Sequence, residues 1–136
     1  MNMEIKGRFN YDFTGKSVLV VEDTMMSFKL MKAVLDQVNA TVIHAVDGWE
    51  AIELCSGDMH FDLVVMDIQM PGINGIEATR EIKKLRPALP VIAATANTFE
   101  DEEAACREAG CDCYITKPLK FLKLFALMQS LFDRQE

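Results

Sequence analysis

A Glu-Asp pair, a lone aspartate, a threonine and a lysine, all side chains that phosphoryl chemistry uses, each stand directly after a short apolar run. Ser17-Val18-Leu19-Val20-Val21 leads into Glu22-Asp23, and Leu63-Val64-Val65-Met66 leads into Asp67. Val91-Ile92-Ala93-Ala94 leads into Thr95, and Tyr114-Ile115-Thr116 into Lys117-Pro118. Carboxylates hold hard divalent cations through oxygen, and Mg²⁺ is the usual ion where phosphates take part. A carboxylate such as Asp67 is also a nucleophile that can carry a phosphoryl group as an aspartyl phosphate. Clustered ionised carboxylates repel, so either a cation compensates them or one keeps its proton. Lys117 supplies a mobile point charge able to reach a phosphoryl oxygen, and Thr95 supplies a hydroxyl. Phosphoryl transfer asks for little beyond in-line positioning and charge neutralisation. Singly, each residue has a plainer reading: an acid capping a helix, a solvated lysine before proline, a threonine in a turn. The four together point to chemistry.

The runs themselves say how these residues would meet. Unbroken β-branched and aliphatic stretches are the pattern of strands covered on both faces, as in parallel sheets. A further strand is expected at Thr41-Val42-Ile43-His44-Ala45. Helical patterns lie between. Leu30, Met31, Val34, Leu35 and Val38 form the apolar face of the first helix. Asp47-Gly48-Trp49-Glu50 reads as a capping box opening a helix through Cys55. Asn74-Gly75 opens another, carrying Ile76, Thr79, Ile82 and Leu85 and stopping before Pro87. Thr98 caps a fourth, whose acidic first turn (Glu100, Asp101, Glu102, Glu103) complements the helix dipole and which Gly110 ends. A fifth follows Pro118 and runs to about Phe132. Strand-helix alternation with short loops means parallel pairing and right-handed crossovers, hence a three-layer doubly wound α/β domain. Ligands of such sheets bind beyond the carboxyl ends of the strands, where all the residues above would converge.

Length and composition bound the alternatives. The 136 residues make one domain, half hydrophobic and a quarter charged, ordinary values for a globular protein. A net charge of −7 and the lack of any basic cluster argue against nucleic acid and anionic membrane as partners. No apolar run is long enough to span a bilayer, and Met1 to Arg8 offers no signal-peptide core, so a cytoplasmic location is expected. Residues 1–15 read as a linker or appended remnant, and 16–136 as the folded domain. Cys55, Cys106, Cys111 and Cys113 have neither redox nor zinc spacing and read as small buried hydrophobes. Cys111 and Cys113 are expected on one face of a strand. His44 and His60 are isolated and receive the same bland reading.

Taken together, Val-Val-Glu22-Asp23, Met66-Asp67-Ile68-Gln69-Met70-Pro71-Gly72-Ile73-Asn74-Gly75, Thr95-Ala96 and Tyr114-Ile115-Thr116-Lys117-Pro118 closely resemble the receiver domain of two-component response regulators. The resemblance covers about Lys16 to Phe132. It implies a flavodoxin-like (βα)5 fold with strand order 2-1-3-4-5 and a cis peptide before Pro118. It implies Asp67 as phosphoacceptor, with Glu22, Asp23, Asp67 and the backbone carbonyl of Gln69 around Mg²⁺ (or Mn²⁺). Lys117 matches the lysine that binds the phosphoryl group, and Thr95 and Tyr114 match the switch pair. Gln69 and Asn97 would flank the phosphoryl group and set its lifetime. The implied partner is a histidine kinase or histidine phosphotransfer domain, and a phosphorylation-dependent homodimer is compatible with the family. The style of residues 66–80, and of Tyr11 to Lys16 before them, is similar to receivers fused to bacterial hybrid sensor histidine kinases. A stand-alone single-domain regulator is the alternative context.

Two other classes fit less well. An aspartyl-phosphate phosphatase usually needs a second acid two residues after the nucleophile, where this chain has Gln69. A flavodoxin-like cofactor binder needs a phosphate loop after its first strand, where Glu22-Asp23 would repel one. With Leu30, Met31, Val34, Leu35 and Val38 toward the core, Met25, Met26 and Phe28 would lie on the exposed rim of the first helix. There they would form an apolar docking patch for the helical hairpin bearing the phosphohistidine, unless a methionine folds over the sheet edge as lining.

Overall fold

The central strands consist almost wholly of β-branched and aliphatic residues because helices cover both of their faces. In the computed structural model, which describes residues 10–96 and 100–135, β1 (Ser17–Val21), β3 (Leu63–Asp67) and β4 (Val91–Thr95) are buried nearly throughout. By contrast, β2 (Thr41–Ala45) and β5 (Cys113–Thr116) are half-buried. Strand order explains the difference. The sheet runs β2-β1-β3-β4-β5, so β2 and β5 are its edges, and every pairing is parallel. The helices are α1 (Met25–Asp36), α2 (Gly48–Cys55), α3 (Gly75–Leu85), α4 (Glu100–Ala109) and α5 (Phe121–Asp133). This is the expected doubly wound, flavodoxin-like fold with the expected order. The peptide before Pro118 is cis.

Side chains alternate across a strand, which divides the core in two. Val18 and Val20 join the cluster under α1 and α5, while Leu19 and Val21 join the one under α2, α3 and α4. Local chemistry starts α2 and α3 where the sequence places them. The Asp47 carboxylate accepts from the Glu50 N–H at 2.8 Å. Glu50 answers by accepting from the Val46 N–H at 2.9 Å, one residue earlier than in a strict capping box. Asn74 caps α3 by accepting from the Glu77 N–H at 3.0 Å. Gly75 must be glycine: an added Cβ would lie 2.4 Å from the carbonyl oxygen of Asp67. The start of α3 therefore sits directly against the end of β3. Asn97 and Thr98, and with them the expected cap of α4, lie outside the described residues, as do residues 1–9.

Three expectations need correction. The buried stripe of α1 is Phe28, Met31 and Leu35, continuing to Val38; Leu30 is 58% exposed. Phe28 is inside because its ring stacks on His44 of β2, with centroids 3.7 Å apart and planes within 5°. Cys111 and Cys113 do not share a face: Cys111 precedes β5 and packs under α2–α4, whereas Cys113 packs toward α1 and α5. The left-handed turn at Gly110 (φ +112°) delivers Cys111 to the α4 side, where its N–H bonds the Cys106 carbonyl at 2.9 Å. Burial pushes the Cys106 thiol up to about 12, in keeping with its reading as a core hydrophobe.

The chain ahead of β1 is irregular but not detached. Phe13 is 2% exposed and sits edge-on to Phe125 and Phe132, with centroids 6.1 and 5.2 Å away. Its N–H donates to the Val38 carbonyl at 2.6 Å. Phe13→Ala is therefore expected to destabilise the domain by about 3–5 kcal/mol. A urea titration should show this as a lower midpoint at unchanged slope; an unchanged midpoint would mean that the segment contributes nothing to folding.

Candidate functional site

Strand register brings the polar residues together. Val21 pairs with Met66 and Asp67 with Ala94, so Glu22, the residue after Val21, comes level with Asp67. Thr95 pairs with Thr116, and the next residue, Lys117, donates its N–H to the Thr95 carbonyl at 2.7 Å. Parallel strands ending at one level place their exit residues along one edge of the sheet. The carboxylates of Glu22, Asp23 and Asp67 lie within 4.8 Å of one another. Lys117 Nζ is 3.1 Å from Asp67 Oδ1 and 3.8 Å from Glu22 Oε1.

Burial differs across this cluster. Asp67 is 4% exposed, Glu22 half-buried and Asp23 exposed. Burial raises the carboxyl of Asp67 above the ordinary range; the Lys117 bond opposes that rise and the charge of Asp23 adds to it. Burial likewise raises Glu22, with the charges of Asp67 and Asp23 adding and the Thr24 N–H opposing. Nearby negative charge is thus only partly balanced by one ammonium. A hard cation suits this site on the chemistry of its donors: three anionic oxygens converging on one point, short of positive charge.

A second cluster adjoins the first. Thr95 is fully buried, and its hydroxyl donates to Glu102 Oε1 at 2.5 Å. Tyr114 donates to the same oxygen at 3.2 Å. The Gln69 amide donates to Thr95 Oγ1 at 2.6 Å and to Glu102 Oε2 at 3.0 Å, and accepts from the Ala96 N–H at 3.2 Å. Burial, then the charge of Glu102, pushes the Tyr114 phenol up to about 12.

The structure therefore gathers Glu22, Asp23, Asp67 and Lys117 in one group and Gln69, Thr95 and Tyr114 in an adjoining one. Met25 and Met26 are exposed near the site, at 52% and 81%. Phe28 does not join them, being held under α1 by His44. Leu30 takes its place on the surface, beside a hollow of about 230 Å³ that Glu22, Met31, Lys117 and Phe121 also line. Two residues carried no signal in the sequence. His44, which looked isolated, donates from Nε2 to the Glu22 carbonyl at 2.8 Å. Glu102 read only as one of four acids favouring a helix start. No helix among the described residues is long and apolar enough to cross a membrane.

Comparison with known proteins identifies the family and the fold. The family model described as the response regulator receiver domain matches residues 18–129. The polar-differentiation response regulator DivK of Brucella ovis is 36% identical over 118 residues, which is 85% of this chain and 94% of that protein. Among solved structures, the CheY-like receiver domain protein of Methanospirillum hungatei JF-1 superposes with TM-score 0.83 at 27% identity, over 88% of this chain and 95% of that one. The receiver domain of the sensor histidine kinase PA1611 from Pseudomonas aeruginosa PAO1, solved with magnesium coordinated in its active-site cleft, gives 0.81 at 30% identity. That match covers 88% of this chain and 99% of the other.

The carboxyl shifts of Asp67 and Glu22 both run upward. Ionising them in the folded state costs stability; that cost is absent below the unfolded pKa and complete once pH exceeds the raised folded values. Asp67→Asn is therefore expected to raise the metal-free melting midpoint at pH 7.5. Saturating Mg²⁺ should stabilise the unsubstituted protein by about 3 kcal/mol at a hundredfold excess over its Kd, and the variant should lose most of that gain. Calorimetry with and without chelator checks both; a variant melting at or below the parent without metal would contradict the charge argument.

Proposed function

The chain belongs to the response regulator receiver family, and on that membership we propose that it accepts a phosphoryl group from a phosphohistidine onto Asp67 and switches conformation to signal. One observation carries the reading: a buried carboxylate at the end of a central strand, 3.1 Å from a lysine ammonium and flanked by an acidic pair. Receivers are signalling modules rather than conventional enzymes, and the chemistry proposed here is self-catalysed phosphoryl transfer with later autodephosphorylation. An Asp67 carboxylate oxygen attacks phosphorus as the P–N bond to the donor imidazole breaks, its electron pair staying with the imidazole nitrogen. Glu22, Asp23, Asp67 and the Gln69 carbonyl would hold Mg²⁺, or Mn²⁺, which supplies positive charge to the phosphoryl oxygens when bound.

The remaining roles fall to residues of this chain. Lys117 leaves Asp67 to pair with a phosphoryl oxygen, a short move for a flexible ammonium. The group gained carries about −1.5 to −2 charge and three acceptor oxygens, and the Thr95 hydroxyl turns toward it. Tyr114 follows Thr95 as the second member of the switch. His44 and Gly75 act indirectly, fixing the backbone of Glu22 and the approach of α3 to Asp67.

The partner is a histidine kinase or histidine phosphotransfer domain, in the cytoplasm. Its docking surface is Met25, Met26 and Leu30 with the hollow beside Lys117; Phe28 has no part in it. The receiver unit is residues 16–136, with Phe13 of the preceding segment packed into its core. Fusion to a hybrid sensor kinase is supported by the likeness to the PA1611 receiver. The stand-alone alternative is supported by the match to 94% of DivK.

With Mg²⁺ and acetyl phosphate, the protein is expected to gain one acid-stable, base-labile phosphoryl group. Asp67→Asn or excess chelator should abolish the labelling, and intact-mass measurement after either treatment checks it; labelling that survives would place the nucleophile elsewhere. Met26→Lys should slow transfer from the cognate phosphohistidine at least tenfold (about 1.4 kcal/mol) while acetyl phosphate labelling is unchanged. Equal loss with both donors, or no loss with either, would remove the docking role.

A further inference from the structure

Two short hydrogen bonds at Thr95 indicate the direction of its proton. A carboxylate only accepts, and the Gln69 amide nitrogen only donates. The amide is oriented by its own partners, since Oε1 takes the Ala96 N–H at 3.2 Å and Nε2 reaches Glu102 at 3.0 Å. Thr95 Oγ1 therefore accepts from Gln69 at 2.6 Å and donates to Glu102 at 2.5 Å. Tyr114 donates to the same Glu102 oxygen at 3.2 Å. Both members of the proposed switch pair are thus bonded to one carboxylate, and that carboxylate belongs to the first turn of α4.

We infer that Glu102 is the latch of the unphosphorylated state: a positioning residue that holds the Thr95 and Tyr114 hydroxyls to helix α4 and competes with an incoming phosphoryl group for the proton of Thr95. The inference rests on the reading of Asp67 as phosphoacceptor. Thr95 has one proton, so a bond to a phosphoryl oxygen on Asp67 requires that the bond to Glu102 break. Charged acceptors form the stronger hydrogen bonds, so this is a contest between two anions. When the phosphoryl group wins, Glu102 loses its bond to Thr95, and that tie between α4 and β4 is broken. The same exchange gives Tyr114 a reason to move, because the oxygen it shared with Thr95 has lost a partner. Coupling between the acceptor site and α4 is then a difference in free energy between two bonding arrangements, and it acts in both directions.

Removing the latch should therefore favour the phosphorylated arrangement. Beryllofluoride with Mg²⁺ serves as the phosphoryl probe, titrated by NMR or calorimetry. Glu102→Ala is expected to tighten beryllofluoride roughly five- to tenfold and to leave Mg²⁺ affinity in the absence of fluoride within twofold. Glu102→Gln, which keeps the size of the side chain and one accepting oxygen, should fall between. Asp101→Asn removes a charge from the same helical turn at an exposed position and should change beryllofluoride affinity by less than twofold. In a Thr95→Ala background the gain from Glu102→Ala should vanish, because the proton under contest is gone. Without any ligand, the ring resonances of Tyr114 in Glu102→Ala should already lie toward their beryllofluoride-bound positions.

Equal gains from Asp101→Asn and Glu102→Ala would reduce the effect to general electrostatics and overturn the latch. A gain that persists in Thr95→Ala would overturn it as well, as would unmoved Tyr114 resonances in a folded Glu102→Ala. Failure of the unsubstituted protein to bind beryllofluoride would instead count against Asp67 as phosphoacceptor. The ligand-free Tyr114 spectrum would still decide whether Glu102 holds the pair.

Discussion

Three carboxylates crowd against a single ammonium at the carboxyl edge of the sheet, and the rest of the molecule is arranged around that imbalance. Glu22, Asp23 and Asp67 fall within 4.8 Å of one another because β1 and β3 are neighbours in register. Lys117 reaches them because β5 ends level with β4. A fold that slipped one strand by one residue would turn its side chains to the opposite face and scatter the cluster. Electrostatic cost is therefore carried by packing: Asp67 is held in place at the end of a fully buried strand. Such a site favours anything that brings positive charge to it.

The adjoining cluster differs in kind. Gln69, Thr95, Glu102 and Tyr114 exchange hydrogen bonds in which donors meet suitable acceptors. One half of the site is short of positive charge, and the other is satisfied. Thr95 ends β4, the strand beside β3, and its bonds run to α4 rather than to the acidic group. Two bonding arrangements for one hydroxyl proton make a discrete alternative, which is what a switch requires; a continuously deformable site would dilute the response.

Beneath both clusters the core has two halves, and the site draws on each. The α1 and α5 side holds Phe28, whose stacking on His44 supports the β2 edge where His44 binds the Glu22 carbonyl. The α2–α4 side presses Gly75 against the Asp67 backbone and carries Glu102. Phe13, reaching in from ahead of β1, closes the first half against Phe125 and Phe132.

Much of this was legible before any coordinates. Hydrophobic runs of strand length, helix-period stripes and the caps at Asp47 and Asn74 are local signals, and they determined the alternation, the parallel sheet and the edge where the polar residues meet. Motif spacing pointed to Asp67, Glu22, Asp23, Thr95 and Lys117 as one group. Tertiary structure decided what depends on partners distant in the chain. Phe28 is buried because a ring on β2 lies under it, and helix periodicity near the start of α1 could not distinguish it from Leu30. Phe13 is core because two rings of α5 lie more than a hundred residues away. Cys111 and Cys113 part because a turn at Gly110 redirects the chain before β5 begins. Glu102 was one acid among four, all equally suited to a helix dipole, until the packing of α4 beside β4 set its carboxylate against Thr95 and Tyr114. Periodicity reports which face of an element is apolar; only the neighbour across that face determines which polar atom meets which.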